Sequence, residues 1–81
     1  MSAATAELKK DIQQGKDALA MLRDEVRLKL HLAGMNAKDE WRALEPRVNA
    51  AEDAARDATE ATRKALRDTV SELEKFVKSL V

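Results

Sequence analysis

The sequence predicts an all-α protein, an antiparallel helical hairpin of two long helices that assembles with copies of itself into a helical bundle or coiled coil. The first observation is a stripe of apolar residues at steps of three and four, the spacing of one side of an α-helix. The second is a single cluster of turn residues around Gly34. The third is the small size, 81 residues without cysteine, because so small a core needs further burial when no disulfide stabilises it. The main stripe consists of Leu8, Ile12, Leu19, Leu22, Val26, Leu30, Ala33, Ala37, Trp41, Leu44, Val48, Ala51, Ala55, Ala58, Thr62, Leu66, Val70, Leu73, Phe76 or Val77, and Leu80.

The composition restricts the class of protein. Lys and Arg number 15, Asp and Glu also number 15, and the two signs are interleaved along the chain. This balance gives no general attraction to nucleic acid or anionic lipid, so we expect no nucleic acid among the partners. The first ten residues lack the apolar core of a secretory signal, and no apolar run approaches the length of a membrane span. We therefore expect one domain, residues 1–81, in the cytoplasm.

The first helix is predicted over about residues 4–33. Its C-terminal half has apolar residues roughly opposite the main stripe, and this second apolar face consists of Met21, Leu28, Leu32 and Met35. A helix that is apolar on two sides is typical of the interior of a bundle. Residues 26–32 also alternate between apolar and polar, as a half-buried strand would, and such a strand would have to pair with another molecule.

A turn is predicted at residues 34–36. Gly34 suits the left-handed position that ends a helix, and Asn36 suits the N-cap of the next helix. Asp39 then falls in the first turn of that helix, where a negative charge is favourable.

The second helix is predicted over about residues 37–80, with a kink near Pro46. A proline inside a helix removes a hydrogen bond and disfavours helix at Glu45. The stripe nevertheless keeps its phase across Pro46, and no Gly, Ser or Asn flanks it. The rival geometry is a reversal at Pro46, which would give helices over residues 3–45 and 47–81 and place Gly34 inside the first.

The charged residues predict a solvent-facing side for both helices. Four Glu residues precede a base by four positions, and each such pair stabilises a helix by about 0.2–0.5 kcal/mol. The pairs are Glu25–Lys29, Glu52–Arg56, Glu60–Lys64 and Glu74–Lys78.

Folding the hairpin at the turn leaves the end of the second helix without an intrachain partner. This overhang is about four turns long, on the order of 20 Å, and a monomer does not leave such a stripe in water. Together with the second apolar face, it predicts a homo-oligomer, most simply a dimer that forms a four-helix bundle. The predicted oligomer interface consists of Leu66, Val70, Leu73, Phe76, Val77 and Leu80 from the overhang, and Leu28 and Leu32 from the second apolar face.

The region after the turn is the candidate anchor for another protein. Trp41 is either a core residue that seals the end of the hairpin or an exposed anchor, and the candidate anchor set is Met35, Trp41 and Leu44. His31, the only histidine, has no carboxylate three or four residues away. We therefore expect a structural or surface histidine, and no metal or other cofactor.

No phosphate-binding loop, activated nucleophile or isolated carboxylate pair is present in the sequence, so we expect no catalytic residues. The expected function is a non-enzymatic structural or protein-interaction module that self-associates through the main stripe. The segment Ala54-Ala-Arg-Asp-Ala-Thr-Glu-Ala-Thr-Arg-Lys-Ala65 resembles phasin-like granule-coating proteins and apolipoproteins in composition. This resemblance implies an alternative function, the coating of lipid or polymer granules, in which a membrane or granule surface is the partner.

Overall fold

The computed structural model describes residues 3–80, and over this range it contains three α-helices and no strand. Helix α1 spans Ala3–Leu30, α2 spans Met35–Ala54 and α3 spans Glu60–Ser79. The protein is therefore all-α, as predicted. The strand alternative for residues 26–32 is not observed, because α1 continues to Leu30 and a turn follows it.

The predicted second helix, residues 37–80, is two helices, so the two-helix hairpin is wrong. The chain reverses between Leu30 and Met35 and again between Ala54 and Glu60, so α2 runs antiparallel to α1 and α3 runs parallel to α1. Gly15 lies against Leu66 near one end of this parallel pair. The product is an elongated three-helix bundle that measures 49 × 17 × 15 Å.

The second turn is held by the side chains of two threonines. Thr59 is the N-cap of α3, and its Oγ1 accepts a hydrogen bond from the Thr62 N–H at 3.1 Å. The same hydroxyl donates to Thr62 Oγ1 at 3.0 Å, and Thr62 Oγ1 donates to the Ala54 carbonyl at 3.1 Å. These bonds connect the last turn of α2 to the first turn of α3, and they satisfy backbone groups that helix ends leave without partners.

The helix α2 continues through Pro46 without a reversal, in agreement with the predicted in-phase stripe. Proline deprives the Arg42 carbonyl of its helical partner. Both Arg42 and Pro46 are exposed, so water can bind that carbonyl, and the helix tolerates the proline.

The first turn lies where the sequence predicts it, but its details differ. Helix α1 ends at Leu30, three residues earlier than expected, and α2 begins at Met35. Gly34 is the N-cap of α2 with φ −76° and ψ 175°, so it is extended and not left-handed. The predicted capping role of Asn36 is wrong, because Asn36 lies inside α2 and the N-cap makes no side-chain hydrogen bond.

The main stripe forms the core of the bundle. All three helices contribute side chains, and five of them are almost completely buried: Leu19, Val26, Val48, Leu66 and Leu73. Gly15 allows α1 to approach α3 closely, because a Cβ atom at this position would lie 3.1 Å from the Cβ atom of Leu66.

Each of the three helix interfaces has one arginine–carboxylate pair. Arg23 of α1 binds Glu52 of α2 at 2.6 Å. Two further pairs join α3 to its neighbours, Arg47–Glu72 at 2.7 Å and Arg63–Asp11 at 3.1 Å. Glu52 and Glu60 were expected to pair four residues ahead, but Glu52 binds Arg23 and Glu60 binds Arg63. The arginine–carboxylate pairs thus join neighbouring helices, and the Glu60–Arg63 pair lies along α3.

Candidate interaction surface

The overhang that predicted an oligomer interface does not exist in the structure. Its residues are packed by the chain's own α1 and α2, because α3 folds back along them. The buried members are Leu66, Leu73, Phe76 and Val77, and the partly buried members are Val70 and Leu80. A folded monomer therefore does not present this part of the predicted interface to a second molecule.

The candidate anchor set is divided between the core and the surface. Trp41 is 9% exposed and stacks on Phe76 of α3, with ring centroids 5.9 Å apart and planes inclined by 16°. Leu44 is partly buried against the same core. Trp41 is thus a core residue that joins α2 to α3, and only Met35 of this set is exposed.

The second apolar face is exposed. Among the described residues, four large apolar side chains are mainly in contact with solvent, namely Met21 at 62%, Leu28 at 76%, Leu32 at 93% and Met35 at 70%. These are the four residues that the helical period placed opposite the main stripe. The core does not need them, since the three helices already cover one another. The helical period predicts Met21 on this face, but the predicted oligomer interface included only Leu28 and Leu32 from it.

Three of the four side chains, Leu28, Leu32 and Met35, lie near the end of the bundle that has the first turn, and Met21 lies further along α1. Met21 and Leu28 share the outer side of α1, about 10 Å apart along the helix axis. Leu32 lies in the first turn, and Met35 is the first residue of α2. Beside them, a groove is formed by the first turn and the end of α3, and it is lined by Lys29, Leu32, Ala33, Gly34, Ala37, Ser79 and Leu80.

The opposite end of the bundle is polar. Arg63 of α3 binds Asp11 of α1 at 3.1 Å and Glu60 at 2.6 Å. The hydrogen bond to Asp11 is the main cause that raises the pKa of the Arg63 guanidinium, and the charges of Glu60 and Asp11 add to it. Arg63 therefore stays charged, and its two partners are held by a cation at any ordinary pH.

His31 lies exposed in the first turn, beside the second apolar face. In the part of the chain that is described, no three His, Asp or Glu side chains are grouped so that they could hold a metal ion. Within residues 3–80, none of the helices has an apolar stretch that would cross a bilayer.

The bundle exposes more surface than a compact protein of its mass. Its accessible area is 5677 Å², whereas a compact monomer of 9.0 kDa exposes about 4,900 Å². The radius of gyration is 13.9 Å, against about 12 Å for a compact chain of this length. The excess area of about 800 Å² and the larger radius both follow from the elongated shape, 49 × 17 × 15 Å.

The chain gives no significant match to a known protein family, to a curated protein or to a solved structure.

Proposed function

We propose that the protein is a non-enzymatic structural or protein-interaction module that self-associates through the second apolar face. The observation that carries the proposal is the exposure of four large apolar side chains, Met21 and Leu28 on α1, Leu32 in the first turn and Met35 at the start of α2. Large apolar patches on a protein surface are typical of protein–protein interfaces. A dimer is the simplest closed assembly of identical chains.

The shape of the bundle supports side-by-side association. A rod with extents of 49 × 17 × 15 Å has a large area for its volume, and lateral packing of two rods reduces that area. Removal of the four apolar side chains from water would stabilise the assembly by roughly 25 cal/mol for each Å² buried. The main stripe, to which the sequence assigns self-association, is already used within the chain.

Molar mass in solution tests the proposal. Light scattering on a sizing column, over a wide concentration range, should give the unaltered chain a mass of twice 9.0 kDa at high concentration. The double variant Leu28→Lys and Leu32→Lys should remain a monomer, because it places two charges in the apolar contact. Both positions are exposed, so the helical content of the monomer should not change.

The matched control is the double variant Ala43→Lys and Ser71→Lys. These positions are exposed on α2 and α3, outside the second apolar face, and the change in net charge is the same. The control should dimerise like the unaltered chain. A monomeric unaltered chain at every concentration would refute self-association, and equal masses for both variants would place the interface elsewhere.

The variant that the overhang suggests, Leu73→Asp with Phe76→Asp, does not test the proposal. Leu73 is fully buried and Phe76 nearly so, and a buried charge without a partner destabilises the fold strongly. Loss of mass in that variant would report unfolding of the bundle.

The alternative function was the coating of lipid or polymer granules, on the composition of the segment Ala54–Ala65. In the structure this segment is the end of α2, the second turn and the first residues of α3. It is thus not one amphipathic helix, and no single apolar face runs along it. Flotation with neutral vesicles remains a useful second measurement, in which co-flotation that Leu28→Lys and Leu32→Lys abolish would favour a lipid surface over a second copy.

A further inference from the structure

The second turn departs from helical geometry over only a few residues. Ala55 has φ −66° and ψ −7°, in the right-handed helical region, and its N–H donates to the Ala51 carbonyl at 3.1 Å. The N–H groups of the next two residues donate to carbonyls three positions back, at 3.3 and 3.0 Å. Thr59, the N-cap of α3, is extended, with φ −124° and ψ 160°. Within the described residues, this turn included, no φ angle is positive, so no residue of the turn has a left-handed backbone that a helix would have to rearrange.

The residues of the second turn are compatible with a continuous helix. Residues 55–59 contain no glycine, proline or asparagine, and two of the five are alanine, the best helix former. The main stripe keeps steps of three and four across the turn, through Ala51, Ala55, Ala58, Thr62 and Leu66. The local preference of the chain is therefore one helix through α2 and α3, whereas packing within one molecule requires a reversal.

Most contacts of α3 do not depend on which chain supplies the helix. Leu66 lies against Gly15 of α1, and Phe76 stacks on Trp41 of α2. An α3 helix from a second copy would make the same contacts in the same place. Only the hydrogen bonds of the second turn require the chain to reverse there.

We infer that the second turn is a hinge through which two copies exchange α3. In the exchanged dimer, α2, the turn and α3 of each chain form one helix from Met35 to Ser79, about 67 Å long. Each α3 packs in the bundle of the other chain, parallel to the α1 that it contacts, as it does in the monomer. Exchange of an identical element is a low-cost route to a dimer, because the core contacts are formed again between chains. The inference is independent of the proposed function, since the second apolar face stays exposed in the exchanged dimer.

Protein concentration and the strength of the turn control the exchange. A short connection keeps the chain's own α3 at an effective concentration in the millimolar range. The monomer therefore prevails in dilute solution, and the exchanged dimer is favoured at high concentration or when the turn is weakened. The Thr59 N-cap and the hydrogen bond from Thr62 to the Ala54 carbonyl hold the turn closed.

Two pairs of substitutions in the turn shift this balance in opposite directions. The alanine pair is Asp57→Ala with Thr59→Ala, and the glycine pair is Asp57→Gly with Thr59→Gly, both at exposed positions. The alanine pair should favour the continuous helix over the glycine pair by roughly 25-fold in each chain, since alanine exceeds glycine by about fivefold at each helical position. Glycine is also tolerated at an N-cap, whereas alanine is not. Both pairs are made with Leu28→Lys and Leu32→Lys, so that a dimer cannot use the second apolar face.

Molar mass after refolding at high concentration is the first measurement. Light scattering on a sizing column should give the alanine pair a mass of twice 9.0 kDa, and the glycine pair should remain a monomer. Circular dichroism checks that both are folded. If the alanine pair is not folded, the single variant Asp57→Ala, which retains the Thr59 cap, takes its place.

Nitroxide labels then show whether the dimer has exchanged α3. They are attached to Arg47→Cys and Glu72→Cys in the same chain, which has no cysteine of its own. The labelled alanine pair is refolded with an excess of unlabelled chain, so that a dimer holds at most one labelled chain. In the closed bundle these residues form an ion pair at 2.7 Å, on neighbouring helices whose axes are about 8–10 Å apart. In the continuous helix they are 25 residues apart in sequence, which places them about 38 Å apart.

A dimer of the alanine pair with the long distance between labels supports the exchange. A dimer with the short distance would overturn it, because the turn would still be closed. A folded monomer at every concentration would also overturn it. These outcomes leave the proposed function untouched, since that proposal is tested by the mass of the chain with unaltered Leu28 and Leu32.

Discussion

The two turns of the bundle are built from different chemistry, although both reverse the chain between helices of the same core. The second turn, residues 55–59, is closed by the hydroxyl groups of Thr59 and Thr62, which bond to each other and to both helix ends. The first turn, residues 31–34, has no side-chain cap, and Gly34 supplies only a backbone carbonyl, to the Lys38 N–H at 3.3 Å. It also exposes Leu32 and is followed by exposed Met35.

The difference indicates at which end of the bundle the polar and apolar groups are satisfied by contacts within the chain. At the second turn the polar groups find intrachain partners, and the neighbouring Arg63 binds two carboxylates. At the first turn apolar side chains remain in water. We call the end that contains the second turn the sealed end, because its hydrogen bonds stabilise the fold. The end that contains the first turn is the open end, and it is where we propose the interface.

The largest expected effect is the difference in the free energy of unfolding between a leucine-to-alanine substitution in the core and the same substitution at the open end. Leu73→Ala should lower the free energy of unfolding by about 2–5 kcal/mol, because the side chain is fully buried and leaves a cavity. Leu32→Ala should change it by less than about 0.5 kcal/mol in dilute solution, since Leu32 is 93% exposed. Urea unfolding followed by the fluorescence of Trp41, the only tryptophan, measures both. Equal losses would mean that Leu32 is packed in the folded monomer.

A smaller effect is expected at the sealed turn. Thr62→Val keeps the shape of the side chain and removes the hydroxyl, which leaves the Ala54 carbonyl without this donor. The free energy of unfolding should fall by about 1–3 kcal/mol. The control Thr62→Ser keeps the hydroxyl and removes a methyl group, with an expected loss of about 0.8 kcal/mol. If Thr62→Ser is the more damaging change, packing of the methyl group holds this turn and the hydrogen bonds do not.

The smallest effect is expected from a substitution that adds a side-chain N-cap to α2 at the first turn. Gly34 is extended, and a Cβ atom there would meet nothing within 4 Å. Gly34→Ser should therefore stabilise the bundle by about 0.5–1 kcal/mol, through a capping hydroxyl and a less flexible unfolded chain. Gly34→Ala supplies only the second contribution, so thermal unfolding should rank serine above alanine. The reverse order would show that the N-cap of α2 does not use a side-chain acceptor.

The first turn and the second apolar face were accessible from the sequence, but the second turn was not. Gly34 is a strong local turn signal, and the period of 3.6 residues placed Met21, Leu28, Leu32 and Met35 on the outer side. Residues 55–59 contain no glycine, proline or asparagine, and the stripe keeps its phase across them. Thr59 followed by Glu60 was the available N-cap signal, but such pairs are common in alanine-rich helices. Without that turn, the apolar side of α3 was assigned to an intermolecular interface.

The sequence by itself determined that the chain is helical, where it first turns, and which residues stand outside the core, because these properties depend on local periodicity and on single strong turn residues. Only the tertiary structure decided that the chain turns a second time and that Leu73 and Phe76 are buried within one molecule. An apolar stripe indicates that its residues must be buried, but it does not indicate whether the same chain or another molecule buries them. That choice depends on contacts between residues far apart in the chain, such as the stacking of Trp41 on Phe76 and the approach of Gly15 to Leu66.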